Sequence, residues 1–198
     1  MNICIIPARG NSQRIPRKNI KKFHGKPIIQ YSIETAEKSG LFDEIIVSTD
    51  DDEIAEIASD CGATAYRRAD ELSIDSIGTQ IIAKDVLTSI NVGRFKYACV
   101  VYATSPLMTV EDLRRGLTLL NTSRRLNFSY SIGPDGKDAG QFYWGRYYAF
   151  INEEPLHMDS VPASNTITVP IDESRVCDIN TENDWITAEK KYARIAHR

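Results

Sequence analysis

The residues best suited to chemistry lie near the start of the chain, in Met1 to Lys26, MNICIIPARGNSQRIPRKNIKKFHGK. Arg9, Arg14, Arg17, Lys18, Lys21, Lys22 and Lys26 supply seven cations there, and the stretch holds no Asp or Glu. It opens with Asn2 to Ile6, an apolar run that suits a buried parallel strand. A helix starts only near Pro27, so about twenty residues of structureless loop are expected, well beyond the usual length of about 2–6. A cationic loop leaving the carboxyl end of a first strand is where α/β folds bind polyanions. The chemistry expected is a triphosphate cradle, in which backbone N–H groups of Gly10, Asn11 and Ser12 meet phosphate and Arg9 and Lys18 supply charge. The loop matches neither the Walker pattern nor GxGxxG. The competing reading is a solvated basic loop or a nucleic-acid arm.

Two further groups compete for a role. Asp178, in Val176-Cys177-Asp178-Ile179-Asn180-Thr181, is placed at a strand end beside a helix N-terminus and suits Mg²⁺, or else ordinary turn bonding. Arg67-Arg68 with the Asp75 region suits a carboxylated substrate. In the acidic run after Thr49, Asp50 ends a strand and is the functional candidate. Asp51 to Glu53 read as an N-cap and first-turn acids facing the helix dipole. His24, His157 and His197 show no ligand or triad spacing.

The elements that must position these groups alternate. Helices are expected from Pro27 to Ser39, after Asp50 to Cys61, from Thr79 to Ile90, from Thr109 and from Thr181. Strands are expected at Glu44 to Thr49, Ala63 to Tyr66, Tyr97 to Ala103, Asn127 to Ile132, Thr166 to Ile171 and Arg175 to Ile179. Up to Ile132 the order is that of a parallel, doubly wound sheet. The pattern then changes at the turn signal Gly133-Pro134-Asp135-Gly136 and the aromatic block Gln141 to Tyr148, which reads as core or interface. Trp185, Ala188, Tyr192 and Ile195 form the apolar face of the last helix.

With 198 residues, 42% hydrophobic and 26% charged, the chain suits one domain with a substantial core. Its net charge of −3 disfavours nucleic acid, so the local positive charge points to a small anion. No run approaches the ~20 apolar residues of a membrane span. Cys4, Cys61, Cys99 and Cys177 lack CxxC spacing and read as free thiols. A cytoplasmic location is expected.

Ile5-Ile6-Pro7-Ala8-Arg9-Gly10 and Pro16-Arg17-Lys18-Asn19-Ile20 resemble the acylneuraminate cytidylyltransferases. Gly25-Lys26-Pro27, Ile46-Val47-Ser48-Thr49-Asp50, Arg68-x-x-x-Glu71-Leu72 and Asp178-Ile179-Asn180-Thr181 follow in that family's order. Tyr102-Ala103-Thr104-Ser105-Pro106 and Asp138 to Gly145 look most like its pseudaminic acid branch. The resemblance implies a Rossmann-like α/β nucleotidyltransferase fold with a mostly parallel sheet flanked by helices. It also implies CTP as cosubstrate, Mg²⁺, an acidic nine-carbon sugar as acceptor, and a homodimer. Carried over by position, Ala8, Arg9, Gly10, Asn11, Ser12, Lys18, Asn19, Ser48 and Asp50 would form the nucleotide site. Arg68, Tyr102, Thr104 and Gln141 would serve the sugar, Asp178 and Asn180 the metal, and Arg9, Lys18 and Asp178 catalysis. The implied reaction is attack by the anomeric hydroxyl on the α-phosphorus of CTP, with release of pyrophosphate.

The sequence departs from the family pattern at four places. Asn11 stands where the family has a second glycine, Gln13 where it has a lysine or similar residue, and Asn180 where it has a second Asp. Only Gly133 to Lys137 remain where relatives carry a few tens of residues. The alternatives are therefore a weakened nucleotide-binding homologue without turnover, or a sugar nucleotidyltransferase using another base.

Overall fold

The computed structural model describes residues 1–74, 76–90, 94–152, 156 and 164–196. Asp75, His157 and His197 lie outside the described residues. The apolar run at the start forms β1 (Asn2–Pro7), and Ile3, Cys4, Ile5 and Ile6 are all fully buried. Burial on both faces is what a central parallel strand requires. β1 pairs in parallel with β4 (Glu44–Thr49) on one side and β6 (Tyr97–Val101) on the other. Beyond β4 lies β5 (Thr64–Arg67), also parallel.

The far half is built differently. β7 (Phe128–Ile132) turns through Gly133–Lys137, where Gly133 N–H donates to the Lys137 carbonyl, into β8 (Asp138–Arg146). β8 inserts antiparallel between β6 and β7, and β9 (Thr166–Pro170) pairs in parallel with β7. The seven-stranded order is β5-β4-β1-β6-β8-β7-β9, so β8 alone runs against the rest. The mostly parallel sheet expected from the sequence is present, flanked by helices.

The flanking helices are α1 (Ile28–Ser39), α2 (Asp52–Asp60), α3 (Thr79–Ser89), α4 (Val110–Leu120), α5 (Tyr147–Ile151) and α6 (Glu182–Ala196). Alternation along the strands gives the sheet a cluster on each face, and a third cluster gathers Ile15, Phe23, Ile28, Tyr31, Ile179 and Trp185. Cys4, Ile6, Val47, Cys99, Phe142 and Trp144 share one cluster with α1, α2 and α4. Ile3, Ile5, Ala98, Val100 and Tyr143 share the other with α3 and α5. The aromatic block is thus core: Phe142, Tyr143 and Trp144 are fully buried.

Helix ends follow their local chemistry. Thr109 and Asp112 form the expected capping box of α4, and Gly40 ends α1 at φ 64°. On α1, Glu34 accepts from Lys26 at 2.7 Å and from Lys38 at 3.1 Å. Lys26 first, then Lys38 and Gln30, hold its carboxyl down from an ordinary 4.5 to about 2. The stabilisation is therefore complete above the ordinary value and disappears as pH falls through about 2. Glu34→Gln is expected to cost at most about 1 kcal/mol at neutral pH. Urea titrations should show that difference from the parent protein shrinking between pH 4.5 and 2.

Three expectations are corrected. The first loop has local structure: a 3₁₀ turn at Lys18–Ile20 and a small hairpin of β2 (Lys22–Phe23) and β3 (Lys26–Pro27), with His24 and Gly25 at positive φ. Phe23, fully buried, drives this order by packing edge-on against Tyr31, Trp185 and Tyr192. Arg175 to Ile179 is not a strand. Side chains take its carbonyls instead: Gln141 bonds Arg175, Lys191 bonds Val176 and Lys18 bonds Ile179. On α6, Trp185 and Ala188 are buried, whereas Ile195 is 39% exposed.

Candidate active site

The strand order reverses direction at β1, with β4 on one side and β6 on the other. Ligands of open α/β sheets bind at the carboxyl ends of strands at such a switch point. A cavity of about 630 Å³ opens there, reached by Pro7 and Arg9 after β1 and by Tyr102, Ala103 and Thr104 after β6.

The loop after β1 forms one wall with Arg9, Ser12, Gln13, Arg14, Lys18 and Asn19. Arg68, Ile74, Ile77, Thr79 and Ile82 form another, and Gly140, Asp178 and Asn180 complete it. Of the seven cations in the loop, three face the cavity: Arg9, Arg14 and Lys18. Arg17 pairs with Asp51 and Glu53, Lys21 with Glu182, and Lys26 with Glu34. Tertiary acids outside the loop have thus drawn off part of its charge.

Lys18 Nζ donates to the Ile179 carbonyl at 2.6 Å, tying the loop to the segment that carries Asp178. Burial pushes its pKa down, Arg14 and Arg9 add to that, and Asp178 opposes it. Arg68 is only 3% exposed. Its Nε and Nη2 are anchored on the Ser48 hydroxyl and carbonyl, at 3.2 and 2.5 Å, and burial lowers its pKa. Asp178 packs on Gly140, which sits at φ +66°, and a Cβ there would come within 3.0 Å of Asp178 Cβ. The positive φ favours glycine, and the close approach of Asp178 adds to that preference.

The sequence-based candidates separate into two groups. Arg9, Ser12, Lys18, Asn19, Arg68, Tyr102, Thr104, Asp178 and Asn180 line one cavity. The other candidates are not part of its wall. Ala8 is fully buried and donates to the Ser48 carbonyl, while Ser48 serves Arg68 from behind. Gly10 N–H, expected to meet phosphate, is taken by Asp50 Oδ1 at 2.8 Å, so Asp50 anchors the loop. Asn11 points to solvent. Gln141 is buried, and its amide donates to the Arg175 carbonyl at 2.8 Å; its neighbour Gly140 faces the cavity in its place. Arg67 reaches away to Asp52 at 2.6 Å, so the expected Arg67-Arg68 pair does not act together.

Sequence reasoning missed the apolar wall of Ile74, Ile77 and Ile82, which no local pattern marks. It also passed over Asp138, one layer behind the cavity. This carboxylate accepts from Gly140 N–H at 2.9 Å and from the Tyr102 hydroxyl at 3.4 Å. Burial raises the Asp138 pKa, and Asp178 adds to the shift.

The surroundings of Asp178 suit a hard divalent cation. Asp178 Oδ2 accepts from the Asn180 amide at 2.5 Å, while Oδ1 faces the space where Gly140 has no side chain. Among the described residues no group of three or more His, Cys, Asp or Glu gathers as a metal cage. One carboxylate with phosphate and water as the remaining ligands is the usual arrangement for Mg²⁺ beside a nucleotide.

The architecture is that of a nucleotidyltransferase. The solved CMP:2-keto-3-deoxy-manno-octonic acid synthetase complexed with CTP superposes with a TM-score of 0.77, covering 98% of this chain and 99% of its own at 14% identity. A manganese complex of a Mycobacterium tuberculosis protein gives 0.69, covering 96% and 98% at 14% identity. The particular family follows from sequence: residues 3–176 match the model described as Cytidylyltransferase, and the chain belongs to that family. It is 35% identical to the pseudaminic acid cytidylyltransferase of Campylobacter jejuni, over 96% of each chain. That alignment is 227 residues long against 198 here, so the relative carries segments this chain lacks. Among the described residues no helix is long and apolar enough to cross a membrane.

Proposed function

We propose that the protein transfers CMP from CTP to a nonulosonic acid of the pseudaminic or sialic type, releasing pyrophosphate. The observation that carries this reading is the single cavity in which Arg9, Arg14, Lys18 and Arg68 meet Asp178. The three loop cations Arg9, Arg14 and Lys18 on a nucleotide-sized cavity match a triphosphate, and in-line transfer needs positioning and charge neutralisation more than covalent chemistry. The family match and the pseudaminic relative supply the cytosine base and the acceptor class.

On this reading Arg9, Lys18, Ser12 and Asn19 hold the triphosphate, and Lys18, tied to the Ile179 carbonyl, sets its distance from Asp178. Asp178, with the amide oxygen of Asn180, would hold Mg²⁺. Bound there, the ion would neutralise charge on the phosphate oxygens. Tyr102, Thr104 and Arg68 face the acceptor. Residues 1–198 act as a single nucleotide-binding domain, with the segment near 133–137 as the short form of a longer insertion in relatives.

Calorimetric titration with CTP, UTP, ATP and GTP in Mg²⁺ tests the nucleotide assignment. CTP is expected to bind at least about 10-fold more tightly than the others, a preference of about 1.4 kcal/mol. Preference for another base would overturn it.

One observation favours a second reading, a homologue that binds nucleotide with weakened turnover. Asn180 places a neutral amide on Asp178, and metal affinity falls with ligand charge. Asn180→Asp is expected to tighten Mn²⁺ binding in the presence of CTP, measured by electron paramagnetic resonance, and to raise kcat. If turnover in the parent is already substantial and Asn180→Asp leaves both unchanged, the second reading is wrong.

A further inference from the structure

The acidic run after β4 does more than cap a helix. Asp51 Oδ1 accepts the Ile54 N–H at 3.0 Å, as an N-cap should. The same carboxylate accepts both guanidinium arms of Arg17, one at 2.9 Å, and Glu53 accepts Arg17 Nη2 at 2.5 Å. Arg17 holds this grip from φ 55°, ψ 30°, a left-handed conformation that non-glycine residues seldom adopt. The hydrogen bond to Asp51 raises the Arg17 pKa and lowers that of Asp51, so each favours the charged form of the other.

The adjoining acid, Asp50, fixes the opposite end of the loop through Gly10 N–H. A Cβ on Gly10 would overlap the Asp51 carboxylate, so loop and acid are in close contact there too. Between these two anchors lie Ser12, Gln13 and Arg14 on the cavity wall, with Lys18 and Asn19 just after Arg17. Arg17, Asp51 and Glu53 do not line that wall. Arg9, Arg14 and Lys18 gather like charge on one wall of the cavity. Lys18 is tied to the Ile179 carbonyl on the cavity side, and Arg17 holds the same loop from outside it.

We propose that Arg17, clamped by Asp51 and Glu53, is a positioning residue that pre-orders the Gly10–Asn19 loop for the triphosphate. It touches no phosphate itself. The inference rests on the reading of the cavity as a CTP site. Its physical basis is preorganisation: a loop already in its bound shape does not lose ordering entropy when ligand arrives.

Arg17→Gly accepts the left-handed backbone and removes the clamp, and because glycine also loosens the backbone it is read beside Asp51→Asn, which leaves Arg17 in place. Amide hydrogen exchange without ligand should speed up at residues 10–19 and stay unchanged in the central strands. KM for CTP should rise about 10–100-fold, the scale of a misplaced binding group, with a smaller change in kcat and none in acceptor KM. Asp51→Asn should move the same quantities, and the double variant should add little, because the two residues act as one unit. Arg17→Lys should recover part of the loss. Unchanged loop exchange and unchanged CTP affinity in Arg17→Gly would overturn the proposal. So would additive effects of Arg17→Gly and Asp51→Asn. If the parent protein itself binds no CTP, the CTP-site reading fails and the inference fails with it. Faster loop exchange with CTP affinity intact contradicts the clamp alone.

Discussion

Asp178→Asn is expected to lower kcat/KM for CMP transfer by about 10³-fold while leaving the fold intact. The substitution is isosteric, so the packing of this residue on Gly140 survives. The charge does not. Asp178 is the one carboxylate on the cavity wall among the described residues, set against Arg9, Arg14, Lys18 and Arg68. Asn180 beside it contributes an amide, so no second carboxylate there can take over its charge. Removal of one preorganised charged group from a site of developing charge typically costs 10²–10³-fold, and loss of a metal ligand adds to this. Steady-state pyrophosphate release measures the effect. A Tm within about 3 °C of the parent would assign it to chemistry rather than unfolding. A loss below about 10-fold would remove Asp178 from the site.

The second large effect concerns stability. Trp144→Ala is expected to cost about 3–5 kcal/mol, the usual range for emptying a large aromatic from a core. Trp144 is fully buried in the central part of β8 and stacks on Phe42 with ring centroids 5.0 Å apart. Its Nε1 donates to the Leu113 carbonyl at 3.0 Å, and α4 reaches it through Gly116, where a Cβ would strike the indole at 2.7 Å. Truncation therefore leaves a cavity, removes the indole bond to a helix carbonyl and opens a gap under a helix at once. Set against total stabilities of about 5–15 kcal/mol, this brings the protein close to its unfolding threshold. Urea denaturation should show the midpoint falling with the slope unchanged. A cost under 1 kcal/mol would mean that α4 closes onto the sheet without strain.

The two effects separate what was readable in the sequence from what was not. The first half of the sheet was legible because each parallel strand is a short apolar run followed by an amphipathic helix with its own caps. Thr109, Asp112 and Gly40 act as their local patterns predict. β8 was legible as core from its aromatics, but not as an antiparallel strand inserted beside β6, because that pairing joins residues far apart in sequence, whereas its hairpin with β7 is local. Arg175 to Ile179 has the apolar content of a strand and lacks a neighbouring strand to complete it, so its carbonyls bond side chains.

The site shows the same division. Arg9, Ser12, Lys18 and Asn19 were found because loop length and one-signed charge are local properties. The loop looked like a uniform field of seven cations, and the acids that neutralise part of it come from α1, α2 and α6. Asp51 and Glu53 read correctly as helix-start acids, and their second task on Arg17 was invisible without tertiary structure. Gly10 illustrates the limit of motif logic. Its N–H is donated to Asp50, and the residue serves by letting the loop approach Asp51. The basic loop at the chain's start therefore works as a held structure, with three cations turned inward and its ends fastened to the β4–α2 junction.

Transfer of CMP can be read from mass spectrometry of reactions containing the protein, CTP, Mg²⁺ and a panel of nine-carbon sugar acids. A CMP-linked sugar acid together with pyrophosphate is expected from a pseudaminic- or sialic-type acceptor, and no product when UTP replaces CTP. Bound CTP with no CMP-linked product from any acid in the panel would contradict it.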